Sequence, residues 1–250
     1  MKSFTIEKLK VRIYKDRGHM GTAAAEDVAA RVKELLGGKD RVRMVFAAAP
    51  SQNELMDGLA RTAGIDWSRV TAFQMDEYVG LPAKSPRSHR AFLQEKLFSR
   101  VKPGEVHLMD GTAHPPEECG RFAEWVRRDP FDIVCLGIGN NGHIAFNEPH
   151  AADFEDPESV KVVELDRVSI RQQVQTGTFS RAEDVPRFAM TLTVPALMSG
   201  AHLFCVVPGT SKREAVRQAL QGPLTPRCPA SVLRTHPDCT LYLELDSHGH

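Results

Sequence analysis

Three parts of the sequence carry side chains that can move protons or bind an anion. Asp76 and Glu77 follow an apolar run, and His143 lies five residues before Glu148 in a glycine-rich segment. A neutral histidine transfers protons near neutral pH, and a carboxylate beside it stabilises the imidazolium. Lys212 follows three small residues and precedes a helical pattern, an arrangement that can present backbone N–H groups and an ammonium to a phosphate. These residue types indicate proton-transfer chemistry on an anionic ligand.

Each of these features also has a structural interpretation. Asp76 and Glu77 are adjacent, so in an extended backbone their side chains point to opposite sides. We therefore expect one of them to face a ligand and the other to be structural, with a solvated acidic turn as the alternative. For His143 and Glu148 the alternative is a loop histidine beside a solvated glutamate. For Lys212 it is an ordinary helix cap with an exposed lysine.

The glycines of the segment GIGNNG, residues 137–142, match the GxGxxG pattern of dinucleotide-binding folds. That pattern needs a helix directly after the glycines, because the helix amino terminus binds the pyrophosphate. Here HIAFNEP follows, and Pro149 biases Glu148 away from helical conformation before one good helix can form. A nicotinamide cofactor is therefore disfavoured, and we expect the glycines to let the backbone turn sharply beside a small ligand.

Short apolar runs alternate with helical patterns along nearly the whole chain. The apolar runs predict strands over residues 42–49, 70–75, 131–138, 203–207 and 241–245. Helices are predicted over 23–36, with a stop at Gly37 and Gly38, and over 54–63, whereas 150–158 and 175–186 are expected to be loops. Continuously apolar strands separated by helices are typical of a mostly parallel sheet covered on both faces. The sequence predicts an α/β fold, with one domain over residues 1–250.

Polar or small residues lie at the carboxyl ends of four of the predicted strands. In open α/β sheets, ligands gather outside the carboxyl ends of the strands. The segments are residues 47–51, 76–78, 139–149 and 208–212. Together they supply carboxylates, a histidine, a lysine and small residues to one edge of the sheet, which is what a pocket for a sugar phosphate requires.

Composition excludes several classes of function. The chain has 32 basic and 32 acidic residues among 250, so no global field favours nucleic acid or an anionic membrane. The five cysteines form no CxxC pair, which argues against a zinc site or a redox dithiol, and Cys135 and Cys205 are expected to be buried free thiols. This cysteine usage fits a reducing cytoplasm. The amino terminus has no signal-like apolar core, and no apolar stretch approaches ~18 residues, the length that spans a membrane.

Five segments together resemble one known family, glucosamine-6-phosphate deaminase. They are FQMDEYVGL, SHRAFLQEKLF, GIGNNGHIAFNEP, SKREAVRQAL and CPASVLRTHPD, and they occur in the family's order between about residues 42 and 245. The resemblance implies a three-layer α/β sandwich shared with 6-phosphogluconolactonases. It also implies conversion of glucosamine 6-phosphate to fructose 6-phosphate and ammonia without a metal or organic cofactor, and it leaves a homo-oligomer open.

The resemblance assigns four residues to the reaction. Asp76 would move the proton between C2 and C1 of the open-chain sugar. His143 would assist ring opening, while Asn141 and Glu148 would set its orientation and charge. Many members have aspartate where this chain has Asn141. We expect the asparagine still to accept a hydrogen bond from His143, although it adds no negative charge.

The resemblance also implies that Ser51, Arg171 and Lys212 bind the phosphate, with two departures. The loop after the first core strand is usually rich in Gly, Thr and Ser, but here residues 47–52 read AAAPSQ. Alanine resists positive φ and proline has no N–H, so this loop offers fewer or differently placed donors. The spacing around Arg167 and Arg171 is one residue shorter than usual.

Two other functions compete with the deaminase reaction. A phosphosugar lactonase would keep the glycine-rich strand end and the basic phosphate ligands, but FNEP and DEYVGL favour the deaminase. A non-catalytic sugar-phosphate sensor would account for the altered loop, but a sensor needs no proton-transfer set of Asp76, His143 and Glu148. The acidic residues within 153–158 replace the basic residues expected of an allosteric site after FNEP. We therefore expect no amino-sugar-phosphate activator site of that kind.

Overall fold

An eight-stranded sheet forms the centre of the molecule in a computed structural model that describes residues 1–249. Its strands are β1 (Lys2–Ile6), β2 (Leu9–Tyr14), β3 (Val42–Phe46), β4 (Val70–Gln74), β6 (Glu105–His107), β7 (Ile133–Leu136), β10 (His202–Val207) and β11 (Cys239–Glu244). They lie in the order β1-β2-β11-β10-β7-β3-β4-β6. Only the β1–β2 pair is antiparallel. The predicted mostly parallel sheet is therefore confirmed.

Helices cover both faces of this sheet. They are α1 (Arg17–Gly38), α2 (Asn53–Arg61), α3 (His89–Leu93), α4 (Ser99–Val101), α5 (Pro115–Arg128), α6 (Arg167–Gln175), α7 (Val194–Met198), α8 (Arg213–Gln221) and α9 (Leu245–His248). A π-helical turn, Gln94–Phe98, joins α3 to α4. Alternate residues of β3 point to opposite faces of the sheet. Met44 and Phe46 pack in the cluster with α1 and α2, and Val45 packs in the cluster with α5 and α8. The result is the expected three-layer sandwich.

A second, three-stranded antiparallel sheet continues from the end of β4. It has the order β5-β9-β8 and contains β5 (Asp76–Tyr78), β8 (Val160–Glu164) and β9 (Phe188–Leu192). Met75 alone separates β5 from β4, and its carbonyl accepts a hydrogen bond from the backbone N–H of Leu192. A separate apolar cluster around Tyr78, Phe146 and Phe179 packs beside this sheet.

The predicted elements are present, with shifted ends. The five predicted strands correspond to β3, β4, β7, β10 and β11. The expected helix stop at Gly37 and Gly38 is confirmed, since α1 ends at Gly38, but the helix begins earlier than expected, at Arg17, where the Asp16 side chain caps it. Residues 150–158 form a loop as expected, and the loop over 175–186 contains one short 3-10 turn, Ala182–Asp184.

Two further sequence-based expectations can be compared with the structure. Cys135 and Cys205 are buried free thiols, as expected. No helix within residues 1–249 is both long enough and apolar enough to cross a bilayer.

Candidate active site

A cavity of about 500 Å³ opens at the carboxyl ends of β3, β4, β7 and β10. Strand β7 lies between β3 and β10 although it follows β6 in the chain, so the strand order reverses here. Such a reversal leaves a crevice in which ligands bind. Ser51, Asp76, His143 and Lys212 all line this central cavity. The four predicted polar segments therefore do meet at one place.

Asp76 faces the cavity from the first position of β5. Its side chain is 7% exposed, and its Oδ1 lies 2.6 Å from Nδ1 of His89. The same Nδ1 lies 3.1 Å from the backbone oxygen of Asp76. Burial alone would lower the pKa of His89, but the charge of Asp76, the hydrogen bonds to it and the charge of Glu77 raise this pKa to about 9. At neutral pH the two side chains therefore form a buried ion pair.

Glu77 is buried and structural, as one of the two adjacent acids was expected to be. Its carboxylate accepts hydrogen bonds from the backbone N–H groups of Tyr78, His89 and Arg90, at 2.8 to 3.0 Å. Gln74 Nε2 donates to it at 2.9 Å. Glu77 thus joins the start of α3 to β5 and satisfies donors that a buried helix end would otherwise leave unpaired.

His143 lies in the turn that follows β7, with its ring against Gly139. A Cβ at residue 139 would lie 2.2 Å from ring atoms Cε1 and Nε2 of His143, so only glycine permits this packing. His143 Nδ1 lies 3.0 Å from Ser169 Oγ and 3.4 Å from Glu148 Oε2. Ser169 was missed from the sequence, because α6 brings it to His143 from 26 positions away.

Asn141 accepts a hydrogen bond from His143, as the sequence led us to expect, but the donor is the backbone. Its Oδ1 accepts a hydrogen bond from the backbone N–H of His143 at 3.1 Å, not from the imidazole ring. Its Nδ2 donates to Glu148 Oε2 at 2.7 Å and to Asp166 Oδ2 at 2.6 Å. An aspartate at this position would place a third carboxylate beside Glu148 and Asp166 and would have no N–H to donate to them. The amide is therefore suited to this site, since it bridges two acids.

Glu148 lies behind His143, fully buried and outside the cavity lining. Burial would raise its pKa, but hydrogen bonds and charge from His143, together with hydrogen bonds from Ser169 and Asn141, lower the pKa below the usual value. Its carboxylate is thus held ionised at neutral pH. Such a charge fixes the imidazole and stabilises its protonated form.

Lys212 and Ser51 lie in two similar turns on either side of β7. The 3-10 turns Pro50–Gln52 and Thr210–Lys212 follow β3 and β10 and lead directly into α2 and α8. Gln52 Nε2 donates to Ser51 Oγ at 3.2 Å and to the Val206 carbonyl at 3.1 Å. Because Ser51 Oγ accepts this bond, its own proton remains available for an anion.

Lys212 is a buried cation without a carboxylate partner in the described part of the chain. Its Nζ donates to the neutral Oε1 of Gln172 at 3.0 Å. Burial lowers the pKa of Lys212 to about 8, and no acidic side chain offsets that effect. An unpaired buried charge is unfavourable unless a ligand pairs with it. This arrangement favours an anionic group in the cavity.

Arg171 does not line the cavity, which corrects its expected placement. Its side chain is exposed on α6, whereas Ser169, Gln172 and Thr176 face inward. At 3.6 residues per turn, Arg171 lies about 200° around the helix from Ser169. The mixed polar sequence of α6 gave no clear apolar face from which this orientation could be read.

Two residues missed from the sequence occupy this side of the cavity. Gln172 Oε1 accepts hydrogen bonds from Lys212 Nζ and, at 2.7 Å, from the backbone N–H of Asn140. Arg87 lines the cavity from the loop before α3, and its Cζ lies 5.4 Å from the ring centre of Phe179. Gln172 follows Ser169 by three positions, a spacing that places both on one helix face once the helix ends are known. No sequence signal marked Arg87.

The cavity thus combines a carboxylate, an imidazole and an uncompensated ammonium. A carboxylate can remove a proton next to a carbonyl, an imidazole can relay one between oxygens, and the ammonium can bind a phosphate. Within residues 1–249, no three His, Cys, Asp or Glu side chains are grouped so that they could hold a metal ion.

The chain is similar in sequence to a family of sugar-phosphate enzymes. The family model described as glucosamine-6-phosphate isomerases/6-phosphogluconolactonase matches residues 15–242. Glucosamine-6-phosphate deaminase 1 of Giardia intestinalis is 34% identical over 227 residues, covering 88% of this chain and 84% of that protein. The glucosamine-6-phosphate deaminase of Listeria monocytogenes serotype 4a (strain HCC23) is 39% identical over 181 residues, covering 72% of this chain and 75% of that protein.

Solved structures show the same architecture. The structure of a monomeric glucosamine-6-phosphate deaminase superposes with a TM-score of 0.87 at 28% identity, over 95% of this chain and 98% of the other. A 6-phosphogluconolactonase from Thermotoga maritima gives a TM-score of 0.78 at 22% identity, over 95% of this chain and 100% of the other. At that identity the second likeness shows the fold alone.

Proposed function

The chain belongs to the family of glucosamine-6-phosphate isomerases and 6-phosphogluconolactonases, and on that basis we propose that it converts glucosamine 6-phosphate to fructose 6-phosphate and ammonia. One observation carries the proposal. Asp76, His143 and the unpaired Lys212 line the same cavity. A phosphate-binding cation and two proton-transfer groups are what the reaction needs, and relatives sharing 34% to 39% of their residues with this chain are named as deaminases.

The phosphate would bind between the two 3-10 turns that flank β7. Lys212 supplies the charge, and Ser51 supplies a hydroxyl whose proton makes no hydrogen bond within residues 1–249. The phosphate binds away from the reacting carbons, so its binding energy can help to orient those carbons. Arg87 is the one arginine lining the described cavity, and we assign it rather than Arg171 to this anionic ligand.

His143 would open the sugar ring. Opening requires a proton to leave the anomeric hydroxyl and another to reach the ring oxygen, a relay that suits an imidazole. Glu148 and Ser169 hold Nδ1, so the other ring nitrogen, Nε2, is the one left for the substrate. Asn141 acts indirectly, by fixing the His143 backbone and the Glu148 carboxylate.

Asp76 would then transfer a proton from C2 to C1 of the open chain. Removing the C2 proton gives an enol bearing the amino group, and protonation at C1 leaves a C=N bond at C2. Water adds to this imine and ammonia leaves, so that C2 becomes the ketone of fructose 6-phosphate. Each step is a proton transfer or a hydrolysis, which carboxylate and imidazole groups can catalyse without redox chemistry. The five free cysteines fit a reducing cytoplasm as the site of this reaction.

The decisive experiment incubates the purified protein with glucosamine 6-phosphate and measures ammonia and fructose 6-phosphate together. Asp76→Asn should lower kcat by roughly 10²- to 10⁴-fold, the usual contribution of a positioned acid or base, while KM changes little. Asp40→Asn is the matched control, because Asp40 is exposed and its carboxylate makes no hydrogen bond within residues 1–249. Hydrolysis of a phosphosugar lactone without ammonia release would instead identify a lactonase. Binding without either reaction would identify a sensor.

A further inference from the structure

We propose that His89 is a positioning residue for the Asp76 carboxylate: it binds one carboxylate oxygen and leaves the other for the substrate. The inference rests on the proposed function for its catalytic meaning, but the pairing itself can be tested separately. His89 has no part in the roles assigned above to His143 or Lys212. It was not identified from the sequence, although it lies in the segment SHRAFLQEKLF.

The backbone of His89 is fixed at the start of α3. Ser88 caps this helix by accepting a hydrogen bond from the backbone N–H of Ala91 at 3.1 Å. The backbone N–H of His89 donates to Glu77 Oε1 at 3.0 Å. Helix α3 therefore begins at a set distance from β5, the strand that carries Asp76.

Two aromatic rings fix the orientation of the His89 imidazole. Phe146 stacks on it with ring centres 5.4 Å apart and an interplanar angle of 12°. Tyr78 meets it edge-on, with ring centres 4.8 Å apart. The His89 side chain is 11% exposed, so rotation of the ring would disturb close packing on two sides. Nδ1 is thereby aimed at Asp76.

The two carboxylate oxygens of Asp76 make different contacts. Oδ1 accepts the hydrogen bond from His89 Nδ1 at 2.6 Å. Among residues 1–249, no hydrogen-bond donor contacts Oδ2, and this oxygen is not fully buried. A carboxylate held through one oxygen keeps its plane and direction, and its second oxygen stays free to take a proton from C2.

Charge reinforces this geometry. Within residues 1–249, the ionisable groups that act on or contact the His89 ring are Asp76, Glu77 and the phenol of Tyr78, all on β5, while Phe146, which stacks on the ring, carries no charge. The imidazole is thus protonated at neutral pH and pairs with Asp76 as a cation. A charge-assisted hydrogen bond of this kind is short and directional.

Two substitutions separate the hydrogen bond from the packing. His89→Phe keeps an aromatic ring between Phe146 and Tyr78 but removes the donor. His89→Asn places an amide N–H near the position of Nδ1 without the charge. We expect kcat to fall by about 10- to 100-fold in His89→Phe, which is the range of one hydrogen bond to a charged group. In His89→Asn, kcat should partly recover. KM should stay within about threefold of the wild-type value in both variants. His114→Phe, at an exposed histidine outside the cavity, is the control.

The second measurement does not depend on turnover. NMR titration of the imidazole nitrogens should show His89 holding its proton to about pH 9 in the wild type and losing it at clearly lower pH in Asp76→Asn. A His89 that titrates near the ordinary value, or an unchanged kcat in a folded His89→Phe protein, overturns the inference. If the wild type releases no ammonia but His89 titrates as expected, the proposed function fails and the Asp76–His89 pairing stands.

Discussion

Replacing Gly139 by alanine should disable the enzyme by moving one side chain. The added Cβ would lie 2.2 Å from Cε1 and Nε2 of His143 and 2.4 Å from Cδ2. Gly139 does not have a positive φ, so alanine adds no backbone strain there. The substitution therefore acts on the His143 ring itself.

The size of the effect follows from these distances. Carbon atoms in contact sit at about 3.5 Å, so the ring must move away by about 1.3 Å. A displacement of about 1 Å in a catalytic group can cost roughly 100-fold in rate, and we expect kcat to fall by about that factor. The ring borders an open cavity and can swing into it, so the protein should lose only about 1 kcal/mol of stability, mainly from the Ser169 hydrogen bond.

The assay measures ammonia release at saturating glucosamine 6-phosphate, with KM and thermal unfolding recorded for the same samples. KM should stay within about threefold, because the turns around Ser51 and Lys212 are not displaced, and Tm should fall by about 2–4 °C. Gly120→Ala is the control, since Gly120 is exposed on α5 and a Cβ there would meet nothing within 4 Å. A Gly139→Ala protein with normal kcat would refute the assignment of His143 to catalysis.

The remaining predictions concern the phosphate end of the cavity. Lys212→Met should raise KM for glucosamine 6-phosphate by about 10- to 100-fold, which is the range of a hydrogen bond to a charged group, and should affect kcat less. An unchanged KM would exclude Lys212 as a phosphate ligand. Burial lowers the pKa of Lys212 to about 8, so the side chain is cationic below that pH and neutral above it. Affinity for fructose 6-phosphate, which has no amine of its own, should therefore weaken as pH rises through about 8, and calorimetry on Lys212→Met should show no such loss.

Much of the central sheet could be predicted from the sequence, because buried parallel strands are apolar along their length. This signal identified β3, β4, β7, β10 and β11, and the polar segments after them contained Ser51, Asp76, His143 and Lys212. The amino-terminal hairpin of β1 and β2 was missed, since its residues alternate between charged and apolar at a solvent-exposed edge. Strand β5 was missed because its first two residues are acids, which favour turns in isolation; pairing with β9 decides its conformation.

The residues missed in the cavity share one cause, since the contacts that give them a role join distant parts of the chain. His89 meets Asp76 across 13 positions, and Gln172 meets Lys212 across 40. Arg171 was misplaced for a related reason, because a one-residue error in helix phase turns a side chain through about 100°. Motif segments thus identified the groups that we propose to react, but not the partners that hold them in place.

In the proposed mechanism, the paired 3-10 turns on either side of β7 bind the phosphate, and they are separate from the elements that hold Asp76. Ser51 and Lys212 extend from β3 and β10, whereas Asp76 and its ion pair lie on the small sheet and α3. We therefore expect that substitutions around Asp76 can change the reaction without weakening the binding of a phosphorylated sugar. A scaffold built in this way can exchange one chemistry for another while its class of substrate stays the same.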